Sequence, residues 1–491
     1  MTKRKDFRPI MFVGTGSDVG KSVINAGFCR IFKQDGLNPA PFKAQNMSLN
    51  SFPTPDGLEI GRAQAVQAEA CGIPCRVEMN PILLKPTGNI DSQIVLNGKP
   101  WANKSAKAYF NETDRDFLFA EAMTAFSTLE REFNPIVIEG AGSISEVNLW
   151  EKDITNMKVA VEKDAATYLI ADIDKGGVFG SVYGTMQLLP KIEREKIKGV
   201  IINKFRGDIS LFENGTRKLE ELCGVPVVGI IPHFRDIYID DEDSVAVDRR
   251  NFSAARERIN VAVVLLRHMS NFTDFNYLQQ LPEVNLYYAA NPADIDEADM
   301  IIVPGSKNTI SDMLFLQKTG MAKAVIKAHQ QNKSVYGICG GFQMMGEMIY
   351  DPQLIEGQIG QIPGLGILPV ETTITNEKVT EQCTFSFLNE KTEGKGYEIH
   401  MGETVAKKHS PLCRVNGKKN DGHFLNAKTW GTYIHGIFDN ADVVNEVLKA
   451  AGKRKVETFD FQQFKEEQYD KLAGLIRENV NLEYIYKSME K

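Results

Sequence analysis

A chain of 491 residues exceeds the usual length of one domain and predicts two or three. Its 43% hydrophobic and 25% charged residues are typical of a soluble globular protein, and the net charge of −7 argues against a nucleic-acid partner. No apolar run reaches the length of a signal peptide or a membrane span, so we expect a cytoplasmic protein with no membrane partner. The seven cysteines are scattered apart from Cys71 and Cys75, which favours reduced thiols over a metal site.

The first predicted strand, residues 9–13, leads into the glycine-rich run Gly14-Thr15-Gly16-Ser17-Asp18-Val19-Gly20-Lys21-Ser22, and a helix follows through residue 32. Strand, loop and helix in this order are typical of a phosphate-binding loop, whose backbone N–H groups surround phosphate oxygens. We expect Lys21 to hold the β- and γ-phosphates of ATP and the Ser22 hydroxyl to reach a magnesium ion, Mg2+. The run departs from the standard pattern because Thr15 stands where the first glycine belongs. The alternative is a glycine-rich turn with an ordinary exposed lysine.

Polar residues at the ends of the next strands are candidates for the same site, because the carboxyl ends of parallel strands line one crevice. Residues 40–48 are predicted as a second strand that ends in polar groups, and Lys43, Asn46 and Ser48 are candidates to contact an anionic substrate or the γ-phosphate. A solvated loop fits this pattern equally well. Glu139 ends an apolar strand and is placed to hold Mg2+ beside the loop serine, with a capping or turn role as the alternative.

Two later strand ends carry further polar candidates. Asp172 and Asp174 close the strand that begins at residue 168 and could serve a metal or a substrate, although acidic turn residues are often only solvated. Asn203 ends the following strand, where it could pair with the adenine edge of ATP or have a structural role. The steady alternation of strand and helix through residue 232 predicts a parallel sheet with right-handed crossovers.

A strongly charged stretch, residues 237–258, interrupts the apolar strands and marks a predicted domain boundary. We place a phosphate-binding-loop domain of α/β type at residues 1–240, a second α/β domain at 255–440, and a helical tail that packs back on the body at 441–491. One helix is predicted at 310–332. The buried strands of the second domain are predicted at 260–266, 284–289, 299–303 and 335–338.

The last of these strands ends at Cys339, with Gly337 and Gly341 two residues away on each side. This is the spacing of a nucleophile elbow, with cysteine in place of serine, and the helix that follows favours the thiolate. A buried cysteine in a glycine-rich turn is the alternative. The N–H of Gly340, with a backbone N–H at Gly305 in the neighbouring Pro-Gly-Ser turn, would form an oxyanion hole, unless that turn is an ordinary type II turn.

A thiolate nucleophile needs a basic partner, and several histidines compete for that role. His435 lies in residues 430–438, which are predicted as a strand ending in His and Gly, the expected position for a residue that reaches an elbow. His400 ends another strand-like run and is the weaker candidate. The remaining competitors in this half of the chain are His268, His329, His409 and His423.

Together the two predicted sites suggest coupled chemistry. A thiolate with an oxyanion hole can release ammonia from glutamine, and an ATP site can convert a carboxylate into an acyl phosphate that ammonia attacks. The chain resembles, nearly end to end, the cobyric acid synthase family of glutamine-dependent amidotransferases in cobalamin biosynthesis. Its first domain is similar to dethiobiotin synthetase and its second to the class I, triad-type glutaminases. The resemblance is carried by residues 14–22, 43–48, 139–143, 172–179, 304–309, 337–341, 396–402 and 433–436.

The resemblance implies that ATP and glutamine are used to amidate a corrinoid substrate. The acceptors would be carboxylates b, d, e and g of adenosylcobyrinic acid a,c-diamide, and the product adenosylcobyric acid. Cys339 would be the nucleophile and His435 its base. Glutaminases of this class usually carry His-x-Glu, but residue 437 is Ile here, so no third member is assigned. No oligomeric state is predicted.

Three other functions compete with this one. The nearest is amidation of cobyrinic acid carboxylates a and c by a sister enzyme. A partition-type ATPase switch would use only the first domain, and the negative charge and the attached elbow domain argue against it. An inactive glutaminase fold that serves as a scaffold is disfavoured because Cys339 and His435 are both present.

Overall fold

The computed structural model describes residues 6–87, 91–240, 254–255, 257–388, 393–452 and 456–491. In the first half of the chain the strands are β1 (Ile10–Gly14), β2 (Ala40–Phe42), β3 (Gln45–Met47), β4 (Ser51–Pro53), β5 (Glu59–Gly61), β6 (Ile82–Pro86), β7 (Asp91–Leu96), β8 (Lys99–Ser105), β9 (Ile136–Glu139), β10 (Ala166–Asp172), β11 (Ile197–Phe205) and β12 (Val227–Pro232). The helices there are α1 (Lys21–Gln34), α2 (Arg62–Cys71), α3 (Ala106–Glu112), α4 (Arg115–Glu130), α5 (Met157–Glu162), α6 (Val178–Leu188), α7 (Lys191–Arg194) and α8 (Glu213–Cys223).

The second half continues the series. Its strands are β13 (Ile259–Val264), β14 (Val284–Ala289), β15 (Met300–Val303), β16 (Ser334–Ile338), β17 (Met348–Tyr350), β18 (Gln361–Pro363), β19 (Val370–Thr373), β20 (Val379–Phe387), β21 (Glu393–His400), β22 (Glu403–Ala406), β23 (Cys413–Val415), β24 (Lys419–Asp421), β25 (His423–Asn426), β26 (Thr429–Thr432) and β27 (Ile434–His435). Its helices are α9 (Asn276–Gln280), α10 (Pro292–Asp296), α11 (Thr309–Thr319), α12 (Met321–Gln330), α13 (Gly340–Met345), α14 (Ala441–Ala450), α15 (Phe461–Asn479) and α16 (Leu482–Met489).

A six-stranded parallel sheet of order β12-β11-β10-β1-β9-β2 organises the first half, as the alternation of strands and helices predicts. Strands β1, β9 and β10 are buried along their whole length, which explains their continuous apolar sequences. The pairing register sets Phe12 opposite Glu139 and Asp172 opposite Asn203, so the predicted strand-end residues meet at one edge of the sheet.

A second six-stranded sheet has the order β14-β13-β15-β16-β26-β25. Its first five strands are parallel, and β25 pairs antiparallel with β26 at the edge. The strand that precedes Cys339, β16, lies between β15 and β26. The elbow therefore stands beside the ends of two neighbouring strands, at the edge where the ligand sites of parallel sheets lie.

Two predictions for this half are wrong in detail. Residues 310–332 form two helices, because Gly320 adopts a left-handed φ of 82° between them. Residues 430–438 do not form one strand. Residues 429–432 belong to the second parallel sheet, whereas His435 pairs with Tyr397 in a separate antiparallel sheet. The chain changes sheets at Tyr433, whose N–H donates to a buried Asp421 carboxylate at 3.3 Å.

The C-terminal helices divide between the two halves. Helix α14 belongs with the second hydrophobic core, to which it contributes four buried aliphatic residues, although sequence reasoning grouped it with the tail. Helix α15 packs on α1 instead. Arg30 of α1 donates to Asp470 and Glu466 of α15 at 2.6 and 2.7 Å, and Ile476 lies over Gly27. None of the helices in the described part of the chain is both long and apolar enough to cross a membrane.

We expect Ile476→Ala to destabilise the protein by about 2–5 kcal/mol, because Ile476 is fully buried against α1 and the substitution leaves a cavity. Urea denaturation of the full chain measures this. The matched control is Glu478→Ala on the exposed face of the same helix, which should change stability by less than about 0.5 kcal/mol. Equal stabilities for the two variants would show that α15 does not contribute to the first core.

Candidate active sites

The Cys339 turn has the strained geometry that the glycine spacing predicts. Cys339 has φ 51° and ψ −111°, a left-handed conformation that is rare for a residue with a side chain. Neighbouring backbone leaves no space for larger residues: a Cβ at Gly341 would lie 1.8 Å from the Val303 carbonyl oxygen, and one at Gly337 would lie 2.8 Å from the Gly341 backbone. The sharp turn ends β16 and leaves the sulfur 3.5 Å from the Ile399 carbonyl oxygen.

His435 is wholly buried and is held by a carboxylate that sequence reasoning missed. Its Nδ1 lies 2.7 Å from Oδ2 of Asp274, and the other oxygen of Asp274 accepts the N–H of Gly436 at 3.0 Å. Burial lowers the pKa of His435, but Asp274 and Cys339 outweigh burial and raise it to about 10. Cysteine, histidine and carboxylate are the side chains that acyl-transfer enzymes combine, and all three lie together here.

The glycines predicted to form the oxyanion hole lie beside these residues. A Cβ at Gly340 would come within 2.8 Å of the Ser306 backbone nitrogen, so the elbow and the Pro-Gly-Ser turn are in close backbone contact. A Cβ at Gly305 would lie 3.1 Å from Cε1 of His435. The structure therefore brings Gly305, Gly340, Cys339 and His435 together.

Two other candidate histidines have different surroundings. Burial lowers the pKa of His400 to about 3, and its ring stacks on Tyr433 at 3.9 Å between centroids. Its Nδ1 lies 3.0 Å from the Gly402 carbonyl oxygen. His268 instead pairs with Asp312, at 3.0 Å. The low pKa of His400 keeps its ring uncharged, and its contacts with Tyr433 and Gly402 are those of a structural residue.

In the first half, the predicted loop curls around the Lys21 side chain. The Lys21 ammonium donates to the carbonyl oxygens of Gly16 and Gly142 at 3.0 and 2.8 Å. Asp18 and Gly20 both have positive φ, 57° and 99°, which closes the loop tightly before α1 begins. The amide of Asn203 donates to the Val19 carbonyl oxygen at 2.8 Å and so fastens the loop to the end of β11.

Glu139 gathers the other predicted residues of this site. One of its oxygens accepts from the Ser22 hydroxyl and from the Lys43 ammonium, both at 2.8 Å, and the other accepts from Gln67 at 2.6 Å. A hydroxyl and a carboxylate are hard oxygen ligands, so Ser22 and Glu139 fit Mg2+. Across the described ranges, no cluster of three or more His, Cys, Asp or Glu residues could hold a metal by itself.

A cavity of about 850 Å³ opens beside this cluster. It is lined by loop residues Ser17, Asp18, Gly20, Lys21 and Ser22, by Glu139, and by the predicted contact residues Lys43, Asn46 and Ser48. The strand-end acids predicted as further candidates are ion-paired instead, Asp172 with Lys204 and Asp174 with Arg206. A volume of about 850 Å³ lies within the range of small-molecule and cofactor sites.

A buried cluster of charges joins the two halves, and no sequence pattern indicated it. Glu59 is fully buried and pairs with Lys85 at 2.5 Å and with Lys378 from the second half. Burial raises the pKa of Glu59, but the two ammonium groups hold it far below its usual range. Lys307, next to the Pro-Gly-Ser turn, has a pKa lowered to about 8 by burial and by Lys85 and Lys378.

Two protein-family models match the chain. Residues 10–244 match the CobQ/CobB/MinD/ParA nucleotide binding domain, and residues 260–443 match the CobB/CobQ-like glutamine amidotransferase domain. A cobyric acid synthase from Parabacteroides distasonis is 57% identical over 494 residues, which cover 99% of this chain and 100% of the relative. The cobyric acid synthases of Phocaeicola vulgatus and Bacteroides fragilis are 54% and 53% identical, covering 99% and 98% of both chains. The chain belongs to the cobyric acid synthase family and is an ATP-dependent amidating enzyme that hydrolyses glutamine, as its motifs predict.

Proposed function

We propose that the chain amidates carboxylates b, d, e and g of adenosylcobyrinic acid a,c-diamide to give adenosylcobyric acid, with ATP and with ammonia released from glutamine. The observation that carries the two-site mechanism is the buried Cys339–His435–Asp274 arrangement in the same chain as the loop around Lys21. The relatives named cobyric acid synthase favour this substrate over amidation of carboxylates a and c.

Glutamine hydrolysis begins when the Cys339 thiolate attacks the side-chain amide carbon. The N–H groups at Gly340 and Gly305 stabilise the negative oxygen of the tetrahedral intermediate. His435 gives its proton to the leaving nitrogen, so that ammonia departs and a glutamyl thioester remains. Water, deprotonated by His435, then releases glutamate and restores the thiol. Asp274 keeps the imidazole in one orientation and stabilises its charged form.

At the second site, a substrate carboxylate attacks the γ-phosphate of ATP, which gives ADP and an acyl phosphate. Ammonia then displaces phosphate and leaves the amide. Lys21 and Lys43 place positive charge beside the transferred group, and the loop N–H groups bind the phosphates. Ser22 and Glu139 would hold Mg2+, which neutralises phosphate charge when bound.

The substitution Cys339→Ala tests whether the two sites divide the reaction between them. Without the sulfur no thioester forms, so glutamine-dependent amidation should fall by more than about 1000-fold. Added ammonium should restore it, because the ATP site is unchanged. Mass spectrometry of the corrinoid, incubated with ATP, Mg2+ and either nitrogen source, measures stepwise conversion of four carboxylates. An unchanged corrinoid despite ATP and glutamine turnover would identify a different carboxylic acid as substrate.

Asp274→Asn should lower glutamine hydrolysis by about 100- to 10,000-fold, because the neutral amide no longer raises the pKa of His435 or selects its tautomer. The pH above which glutaminase activity falls should decrease as well, since His435 would lose the proton that it gives to the leaving nitrogen nearer its ordinary pKa. Ammonium-dependent amidation by the same variant is the control for folding. Wild-type glutaminase activity in this variant would exclude Asp274 from the mechanism.

Glu139→Gln addresses the ATP site. We expect glutamine- and ammonium-dependent amidation to fall together, by about 100-fold or more, because the substitution removes the carboxylate that meets Ser22 and Lys43. Basal glutamine hydrolysis at Cys339 should remain. The rates of ADP and glutamate formation, measured separately, distinguish the two sites. A variant that still forms ADP at the wild-type rate would contradict the assignment of Glu139.

A further inference from the structure

Asn271 makes a direct contact with the histidine of the glutaminase site. Its side-chain nitrogen lies 3.2 Å from Nε2 of His435, and its side-chain oxygen accepts the backbone N–H of Ser51 at 3.1 Å. Asn271 is 3% exposed and has a left-handed φ of 51°. Ser51 begins strand β4 of the first half, so one amide side chain joins the first domain to His435.

These contacts determine which way the amide of Asn271 faces. A backbone N–H can only donate, so the side-chain oxygen must face Ser51 and the NH2 group must face His435. An NH2 group can only donate, and Nε2 accepts a hydrogen bond only when the imidazole is neutral. The ring proton lies on Nδ1, where it faces Asp274. Asn271 therefore occupies the lone pair of Nε2, which would otherwise take the proton of the Cys339 thiol. Asp274, and after it Cys339, favour the charged ring, whereas a donor hydrogen-bonded to Nε2 favours the neutral ring, so Asn271 opposes both.

The segment that orients Asn271 also borders the nucleotide cavity. Ser48 lines that cavity, and its hydroxyl accepts the N–H of Asn50 at 3.0 Å. The side-chain oxygen of Asn50 accepts the N–H of Phe272, the neighbour of Asn271, at 3.1 Å. Asn50 is completely buried. Two residues of chain, Leu49 and Asn50, therefore separate Ser48 in the cavity wall from Ser51, which bonds Asn271.

We propose that Asn271 is a positioning residue that holds His435 neutral until ligands in the nucleotide cavity displace residues 48–51. Once the Ser51 N–H withdraws, the amide of Asn271 is free to turn away from Nε2. The proton of the Cys339 thiol then moves to Nε2, which forms the thiolate and the imidazolium that glutamine hydrolysis needs. The inference rests on the proposed function, in which Cys339 and His435 exchange a proton, and it identifies what would regulate that site.

The test compares wild type with Asn271→Ala and Asn271→Asp. The alanine variant removes the donor to Nε2. The aspartate variant keeps an acceptor for Ser51 and tolerates the left-handed backbone, but presents an acceptor to His435. Gln382→Ala is the matched control, because Gln382 also bonds the same hairpin, at the Pro53 carbonyl oxygen, 2.8 Å away. Each protein is assayed with and without ATP, Mg2+ and adenosylcobyrinic acid a,c-diamide.

Two readouts are measured: the rate of glutamine hydrolysis and the rate of Cys339 alkylation by iodoacetamide, followed by peptide mass spectrometry. In wild type and in Gln382→Ala we expect the ligands to increase both rates by about 5- to 150-fold, the range of ordinary coupling between sites. In both Asn271 variants alkylation without ligands should already be fast, and the increase should fall to less than about twofold. Unchanged ammonium-dependent amidation establishes that these variants are folded.

The inference is overturned if wild type amidates this corrinoid with ammonium but shows no increase in either readout with the ligands, or if the Asn271 variants keep the wild-type ratio. Loss of both glutamine hydrolysis and Cys339 alkylation in the Asn271 variants, with and without ligands, would also overturn the inference. Such a loss would show that Asn271 supports the active form of His435 and does not restrain it. The proposed function fails separately, when Cys339→Ala retains glutamine hydrolysis. The two failures are therefore distinguishable within one set of assays.

Discussion

The contact between Asp274 and His435 is the interaction on which the glutaminase site depends, because it joins residues 161 positions apart. Both side chains are almost entirely removed from water, and a buried carboxylate is tolerated only where hydrogen bonds and an opposite charge satisfy it. Asp274 has both, from His435 and from the N–H of Gly436. The ring is thereby held in one orientation, with Nε2 left to exchange protons or to accept from Asn271.

The junction between the two halves is governed by the same rule. Glu59 is completely buried, and its negative charge is compensated by Lys85 from its own half and Lys378 from the other. Desolvation offsets most of the attraction in such a cluster, so its contribution to overall stability is small. Removal of one partner is different, since it would leave a buried charge uncompensated and cost about 3–5 kcal/mol. The cluster therefore specifies how the halves dock, and with it the position of the β4–β5 hairpin.

Local patterns in the sequence predicted the backbone of both sites, because glycine spacing determines where a loop or a sharp turn can form. Residues 14–22 and the turn at Cys339 each carry their glycines within one short segment, so the pattern is visible in the sequence, although Gly341 also packs against Val303 of another strand. Asp274 and Asn271 carry no such signal. They belong to a short non-periodic segment after β13 and reach His435 only through the tertiary fold. Because residue 437 is not a carboxylate, the third member of the set stayed unassigned, and one sequence contains no rule that selects it.

The two sites obey one geometric rule, and that rule explains how a short segment can connect them. In each half the functional groups stand at the carboxyl ends of parallel strands, after β1 and after β16. Residues 48–51 run from the first edge to the second. Asn50 in this segment is buried and hydrogen-bonded to both Ser48 and Phe272, so a shift at the cavity is not absorbed by a flexible linker. It must either move Asn271 or break buried hydrogen bonds, at about 1–3 kcal/mol for each group left unsatisfied. The coupling that we propose between the sites thus follows from how the halves pack.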